Sequence, residues 1–315
     1  MPWLLDRPLD PNAEGQLERF VGELAERLDD ASSDRNVTVR ETLAPLLYGR
    51  PFHLLEAQAP MAAFGLDPRN VTFEAEYYAA TDPERFARVK PLLWLWKSLD
   101  ATPLGQSVAS GVAVRRMLAE RIFARAGRNL KIFQNVEVSV GYNIEAGDDV
   151  VIHRDVFIDD IGGVELHDGA SLSDYANVYS HTHDILEQPD VTLKRTVIGR
   201  DVRVAYHATV LAGTVLSDDS MLGALALATH DLEPHVVGLG IPAKPRVWKE
   251  RSNDPRFASL RVDARRRPSP SAVRANPDFR DADDDRESGT GADRDDDGAR
   301  ADRDGRPAGA HGHGS

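Results

Sequence analysis

The chain has 315 residues, of which 41% are hydrophobic, a formal net charge of −13 and no cysteine. The missing cysteines exclude disulfide bonds, thiolate metal sites and a cysteine nucleophile. The acidic surplus argues against a nucleic-acid partner, because it leaves no broad basic surface.

The N-terminal sequence MPWLLDRPLD lacks the basic segment and apolar run of a signal peptide. No apolar stretch approaches the ~20 residues that cross a bilayer. We therefore expect a soluble cytoplasmic protein without a membrane partner. Only six of the 38 basic residues are lysines. Together with the acidic surplus, this composition indicates a halophilic surface, on which salt screens the repulsion between carboxylates.

The first predicted region, residues 1–130, is mostly helical. Its clearest helix places apolar residues at i, i+3, i+4, i+7 and i+11, which form one stripe along a helix face. These residues are Leu17, Phe20, Val21, Leu24 and Leu28. Looser patterns of the same kind cover 83–99 and 113–126. Five prolines divide the region into short segments. They are Pro51, Pro60, Pro68, Pro83 and Pro103.

The second predicted region, residues 131–250, has a period of six. Small or apolar residues repeat every six positions through 138–176 and, after a break, through 196–226, apart from one two-residue insertion. A partner series lies two residues later in each repeat, and together they make thirteen hexads. A period of six fits neither a helix nor a hairpin, but it fits one side of a triangular solenoid with three hexads per coil.

We therefore predict a mainly β fold, a left-handed parallel β-helix of just over four coils. Glycine and aspartate stand where its tight turns are expected, as in Gly147-Asp-Asp and Gly199-Arg-Asp. The alternative is an antiparallel all-β domain with alternating strands. The thirteen hexads favour the solenoid, because they keep one register.

The last predicted regions are a C-terminal extension, 251–275, and an acidic tail, 276–315. The tail holds twelve acidic and six basic residues, and no valine, leucine or isoleucine. Such a segment buries too little apolar surface to offset the entropy of ordering it. We expect the tail to be disordered.

Five segments of the predicted solenoid resemble a known family. They are YNIEAG at 142–147, VFIDD at 156–160, NVYSHTH at 177–183, TVIGRDV at 196–202 and GIPAK at 240–244. Through them, residues 142–250 resemble the maltose/galactoside O-acetyltransferase branch of the hexapeptide-repeat acyltransferases. The resemblance implies a homotrimer that transfers an acetyl group from acetyl-CoA, as co-substrate, to a hydroxyl or amine of a small acceptor.

His183 matches the catalytic histidine of this family. The thioester donor is already activated, so the reaction needs a base rather than a covalent intermediate. Histidine suits that role, because its pKa lies near neutrality. The alternative for His183 is an ordinary polar loop residue. His181, two residues earlier, is interpreted as a surface strand residue, since the family pattern does not require it.

The resemblance also implies a groove for acetyl-CoA between adjacent subunits. The matching residues, from the thioester end to the nucleotide end, are Ala205, Tyr206, Gly223, Ala224, Thr229 and Lys244. The chain departs from the family at two positions near this groove. Tyr206 replaces a small hydroxyl residue that helps to stabilise the oxyanion, and His230 replaces a lysine.

On the acceptor side, the resemblance implies contacts from His153, Asp160 and Arg203. His153 stands where the family has an asparagine, and Arg203 stands where it has an aromatic ring. Ile161 replaces an acidic contact beside Asp160. Because sugar selectivity depends on matched hydrogen bonds, these changes leave the identity of the acceptor open.

Two other functions remain open at this point. A γ-type carbonic anhydrase uses the same β-helix, but it needs three histidines around a metal, two of them in His-x4-His spacing. His230 and His235 have that spacing, but they follow the hexads, so we expect no metal. The second alternative is a non-catalytic β-helix scaffold, because fold alone does not determine function.

Overall fold

The structure is a computed structural model that describes residues 8–186 and 191–249, together with the backbone of 261–262. The chain divides into two compact units, residues 1–266 and 267–315, and all described residues belong to the first. The predicted disordered tail, 276–315, and nearly all of the extension, 251–275, lie outside the described residues.

The described part of the chain begins with helices. The α-helices are α1 (Pro11–Asp29), α2 (Arg35–Tyr48), α3 (Phe52–Gln58), α4 (Pro60–Leu66), α5 (Pro83–Leu99), α6 (Pro103–Gln106) and α7 (Val108–Ile122). Two short 3₁₀ helices, Pro68–Asn70 and Glu74–Tyr77, lie between α4 and α5. Five of the described helices begin with a proline at their first position, where the missing N–H has no helical partner to lose.

Helix α1 carries the predicted apolar stripe. Leu24 and Leu28 are buried, and Phe20 and Val21 pack against the core. The Asp10 side chain caps the helix by accepting a hydrogen bond from the Asn12 amide at 3.0 Å. The stripe therefore predicted both the helix and the face that it buries.

After the helices, short strands wind into three sheets, which are parallel apart from one antiparallel pair near the C-terminal end of the second sheet. The first sheet contains β1 (Arg125–Ala126), β4 (Ile144–Ala146), β7 (Val164–Leu166), β12 (Thr196–Ile198) and β15 (Val215–Leu216). The second sheet contains β2 (Lys131–Ile132), β5 (Val151–Ile152), β8 (Ser171–Leu172), β13 (Arg203–Val204), β16 (Met221–Leu222), β18 (Val236–Leu239), β19 (Lys244–Lys249) and β20 (Arg261–Val262). The third sheet contains β3 (Glu137–Val138), β6 (Phe157–Ile158), β9 (Asn177–Val178), β14 (Thr209–Val210) and β17 (Leu227–Ala228). Strands β10 (His181–His183) and β11 (Val191–Leu193) form a separate antiparallel hairpin.

The predicted left-handed parallel β-helix with an α-helical N-terminal region is confirmed. Each coil contributes one strand to each sheet, and every hexad position from 140 to 228 is at most 3% exposed. These side chains fill the column at the centre of the coils. The β-helix also extends further towards the N-terminus than the hexads from position 138 indicated. Leu130, Ile132 and Val136 already belong to the column, and β1 begins at Arg125.

Helix α5 packs against the first two coils. The Trp96 indole donates to the Val136 carbonyl oxygen at 2.7 Å, and Lys97 pairs with Glu137 at 3.0 Å. Further along, Arg85 donates to the Tyr142 carbonyl oxygen at 2.8 Å. These contacts fix the helical region on the third-sheet side of the β-helix, close to the corner where each coil returns to the first sheet.

Candidate active site

The hairpin of β10 and β11 interrupts the solenoid at the end of the third coil. In the other coils, the third sheet is followed by a short turn into the first sheet, which we call the return corner. In the third coil this corner is replaced by 179–195. His181 pairs with Leu193 and His183 pairs with Val191, so the hairpin leaves the stack of coils. The sequence pattern correctly located a break there.

His183, the predicted base, lies on β10 at this corner. Its side chain is exposed, and its ring stands nearly perpendicular to the His181 ring with the centroids 5.4 Å apart. His183 therefore lies at the edge of the β-helix, on the hairpin that interrupts it. Its role in catalysis stays a prediction.

His181 forms a short hydrogen bond with a buried carboxylate. The distance from Nδ1 of His181 to Oδ2 of Asp159 is 2.6 Å, and Asp159 is only 1% exposed. The same oxygen accepts hydrogen bonds from the Ser180 and His181 amides, and Ser139 donates to the other oxygen at 3.2 Å. His181 lies on a strand, as interpreted from the sequence, but its side chain is partly buried and held by Asp159 rather than lying free at the surface.

A cavity of about 480 Å³ lies beside this pair, between helix α5 and the return corners of the first three coils. Trp96, Phe157 and Tyr179 form part of its apolar wall. Asp159 and His181 line the end nearest to the hairpin, and the Tyr78 ring lies 6.2 Å from the His181 ring. The cavity has the size and mixed lining of a small-molecule site.

Asp160, a predicted acceptor contact, lies beneath this surface. It is 0% exposed, and its oxygens accept hydrogen bonds from the Val140 amide at 2.9 Å and the Asn143 amide at 3.2 Å. Burial raises the pKa of the Asp160 carboxyl to about 6, against the opposing effect of these backbone donors. Its oxygens are enclosed by the first two coils, so we leave Asp160 out of the acceptor site proposed below.

The other predicted acceptor residues lie at a different corner, between the second and third sheets. The His153 ring stacks on Phe133 with the centroids 5.1 Å apart. Burial lowers the pKa of His153, nearby Arg203 lowers it further, and Asp174 raises it. Arg203 is exposed on β13. His153 and Arg203 are thus near each other, but they do not line the cavity at His181.

Four of the predicted donor residues meet at this second corner, between the second and third sheets, which we call the donor corner. The Ala205 amide donates to Leu222, the residue before Gly223, and the Leu225 amide donates to Tyr206, each at 2.9 Å. Consecutive coils therefore stack Ala205 and Tyr206 over Gly223 and Ala224. Tyr206 is 49% exposed and Ala224 is exposed, so this corner is open to a ligand.

The remaining donor residues lie elsewhere. Thr229 follows the third sheet at the return corner of the fifth coil, where its hydroxyl lies 2.8 Å from Nδ1 of His230. Lys244 begins β19 and is exposed. Within one chain, the third sheet separates the donor corner at Ala205 from the return corner at His183. The two corners of one chain therefore do not lie side by side.

The histidines of the carbonic anhydrase alternative have other contacts. Nδ1 of His230 lies 2.8 Å from the Thr229 hydroxyl, and Nδ1 of His235 lies 2.9 Å from a carboxylate oxygen of Asp219. Within 8–186 and 191–249, no group of three histidine, aspartate or glutamate side chains is arranged to hold a metal ion. None of the helices in the described part of the chain combines the length and apolar character needed to cross a membrane.

Comparisons with known proteins agree with the resemblance seen in the sequence. The chain is 26% identical over 166 residues to galactoside O-acetyltransferase of Escherichia coli K12. The aligned region covers 51% of this chain and 78% of that protein. It is 28% identical over 160 residues to dTDP-4-amino-4,6-dideoxy-D-glucose acyltransferase of Escherichia coli, covering 41% of this chain and 83% of that protein. No family model matches the chain.

Among solved structures, the chain is similar to a galactoside acetyltransferase in complex with coenzyme A. The TM-score is 0.48 and the identity is 24%, with 58% of this chain and 90% of that chain covered. The resemblance to the hexapeptide-repeat acyltransferases of the galactoside and maltose O-acetyltransferase branch is confirmed by the sequence relatives.

Proposed function

We propose that this chain is an acyl-CoA-dependent acyltransferase, which transfers an acetyl group from acetyl-CoA to a hydroxyl or amine of a small acceptor with His183 as the general base. The observation that carries the proposal is the position of His183. It matches the family histidine in sequence, and it lies on a hairpin that leaves the β-helix next to a cavity of about 480 Å³. The two sequence relatives are named as acyltransferases, which supports the same class of enzyme.

In this proposal His183 takes the proton of the acceptor as the acceptor attacks the thioester carbonyl carbon. An imidazole can accept that proton, and the exposed position of His183 lets it exchange the proton with solvent or the leaving group. Tyr206 donates its phenolic hydrogen to the developing oxyanion. The phenol is half-exposed at the donor corner, as a group that contacts a bound thioester has to be.

The proposed donor groove lies between two subunits of a homotrimer. Ala205, Gly223 and Ala224 of one subunit form one wall, and the return corner with His183 of the next subunit forms the other. Thr229 and Lys244 contact the nucleotide end, where a lysine complements phosphate charge. The separation of the two corners within one chain supports this arrangement, because neither corner alone holds both the base and the groove.

The test is thiol release from acetyl-CoA in high salt, with a panel of sugars, amino sugars and small amines. We expect acceptor-dependent release that falls by roughly 10²-fold or more in His183→Ala, the usual contribution of a positioned base. The matched control is His167→Ala, which removes a histidine paired with Glu165 on the same β-helix, away from the cavity. Release that is unchanged in His183→Ala, or that falls equally in the control, would contradict the assignment of the base.

A further inference from the structure

The charged residues that line the cavity beside His181 are mostly acidic. Glu74, Asp100, Glu137 and Asp159 line it, and Lys97 is the one lysine or arginine among the described lining residues. Lys97 is already paired with Glu137. Asp100 pairs with Arg115, which is buried behind the wall, and burial raises the pKa of Asp100. Carboxylates therefore outnumber lysine and arginine side chains on the surface of the cavity.

Aromatic side chains surround these carboxylates. Tyr78, whose hydroxyl donates to Glu74, stands at one side, and Phe157 and Tyr179 meet edge to face with their centroids 5.7 Å apart. Trp96 is held in the wall by its hydrogen bond to Val136. Aromatic faces combined with carboxylates attract a cation that carries an apolar group, and they repel an anion.

The hydrogen bonds around Asp159 indicate which nitrogen of His181 carries the proton in the neutral ring. The carboxylate accepts from two backbone amides and from Ser139, so it acts as an acceptor towards Nδ1 of His181 as well. The proton of the neutral ring therefore stays on Nδ1, and Nε2, on the far side of the ring, is left as an acceptor. A buried carboxylate that orients a histidine in this way is the arrangement that prepares a base.

We infer that this cavity binds the acceptor and that the acceptor is a primary amine on an aromatic or apolar group, with His181 as a second proton acceptor. The inference rests on the proposed function for the transfer step. A second proton acceptor is needed for an amine, because an amine that binds as an ammonium ion has to lose two protons during acetylation. A hydroxyl loses only one.

Two neighbouring imidazoles meet that requirement, because His181 lines the cavity and His183 lies two residues further along the same strand. Nε2 of His181 takes the first proton from the ammonium group and releases it to solvent. The neutral amine then attacks the thioester carbon, so that a C–N bond forms and the C–S bond breaks. His183 takes the second proton and passes it to the departing sulfur, giving coenzyme A as a thiol. The ring centroids are 5.4 Å apart, and the inference places the ligand nitrogen within reach of both rings.

The experiment compares the binding of tyramine and tyrosol to the full chain by titration calorimetry without acetyl-CoA. The two probes differ only in an amino or hydroxyl group at the end of the same arm. We expect tyramine to bind at least about 10-fold more tightly than tyrosol, because only tyramine carries the charge that the carboxylates attract. His181→Gln and Glu74→Gln should each remove much of this preference. His167→Gln, the control, should leave it unchanged.

Equal affinity for the two probes would overturn the inference and would assign the cavity to neutral alcohols. A preference for tyramine that persists in both His181→Gln and Glu74→Gln would place amine binding elsewhere and would also overturn it. Glu74 is exposed, so its variant tests the site even if His181→Gln does not fold. These binding results do not test the proposed function, because the amine preference is measured without any transfer of an acyl group.

The same preparations then report on the reaction. With acetyl-CoA added, wild type should acetylate tyramine faster than tyrosol. His181→Gln should acetylate both at the same rate. Adding His183→Ala to His181→Gln should lower that rate further. If transfer to tyrosol equals transfer to tyramine in wild type, the second proton acceptor is not needed and the inference is wrong.

Discussion

Asp159 and Asp160 are neighbours in sequence with different surroundings. Both are at most 1% exposed, and both lie where the second coil turns back to the first sheet. Asp159 reaches His181 and the cavity, whereas Asp160 satisfies amide groups at 140 and 143 in the coil above. One carboxylate therefore orients a side chain at the site, and the next one holds the turn together.

The buried Asp160 predicts a dependence of stability on pH. Its pKa is raised from 3.8 to about 6 in the folded protein, so the folded state holds the proton more tightly than the unfolded state does. The stability contributed by that proton is fully present below pH 3.8 and is lost as the pH rises through 6. The loss amounts to as much as about 3 kcal/mol.

Urea denaturation of wild type and Asp160→Asn, in steps of about one unit between about pH 4 and pH 7.5, measures this effect. The free energy of unfolding of wild type minus that of the variant should fall as the pH rises. Taking the difference removes the titration of other carboxylates, such as Asp67, whose pKa is lowered to about 2 by its hydrogen bonds with Arg69 and Arg40. A difference that does not change with pH would mean that Asp160 does not titrate in this range.

Sequence patterns single out His183 as the candidate base, but they do not indicate the pair of Asp159 and His181. The motif NVYSHTH carries the resemblance directly, so His183 needed no knowledge of contacts. The pair joins residues 22 positions apart, and the regular hexads stop at Val178, before the hairpin. Without the hexad register, the direction of the His181 side chain could not be predicted, because a one-residue change in a strand reverses it.

At the scale of the elements, the central column holds the β-helix together. Each strand is only two or three residues long in most coils, so a single coil gains little from its own hydrogen bonds. Stability comes from stacking coils on a shared apolar core, as in other repeat proteins. The helical region adds to this through α5, which is tied to the first coil by Trp96.

A column residue should therefore be far more sensitive than an exposed apolar residue. Ile152 is 0% exposed and Leu186 is 88% exposed. We expect Ile152→Ala to lower the free energy of unfolding by about 2–5 kcal/mol, the usual cost of a cavity in a packed core. Leu186→Ala should change it by about 0.5 kcal/mol or less. Urea denaturation measures both, and similar losses in the two variants would argue against a continuous column.

The hexads predicted the column well because burial at each turn is a local requirement that repeats. They missed the first coil because its strands follow directly after a helical pattern, and the apolar residues of 113–126 obscure where the period changes. The cavity was not predicted at all. Its wall combines Trp96 of α5 with Phe157 and Tyr179 of two coils, and no sequence spacing reports that contact.

At the scale of the whole molecule, the proposed site is divided between subunits. His183 belongs to the return corner, and Ala224 belongs to the donor corner on the other side of the third sheet. Closed rings of three identical subunits bring two different surfaces of neighbouring chains together at every interface. The trimer is thus a condition of the proposed chemistry, and it predicts that two different defects can compensate each other.

The most direct test of this account is activity in mixed trimers of His183→Ala and Ala224→Trp. Each variant alone lacks one half of every site, and Ala224 is exposed, so the tryptophan should block the groove without disturbing the core. After co-refolding in equal amounts, about one interface in four combines a wild-type histidine with a wild-type groove. We predict that acetyl-CoA thiol release recovers to about a quarter of the wild-type rate. Mixed trimers as inactive as the separate variants would contradict a site shared between subunits.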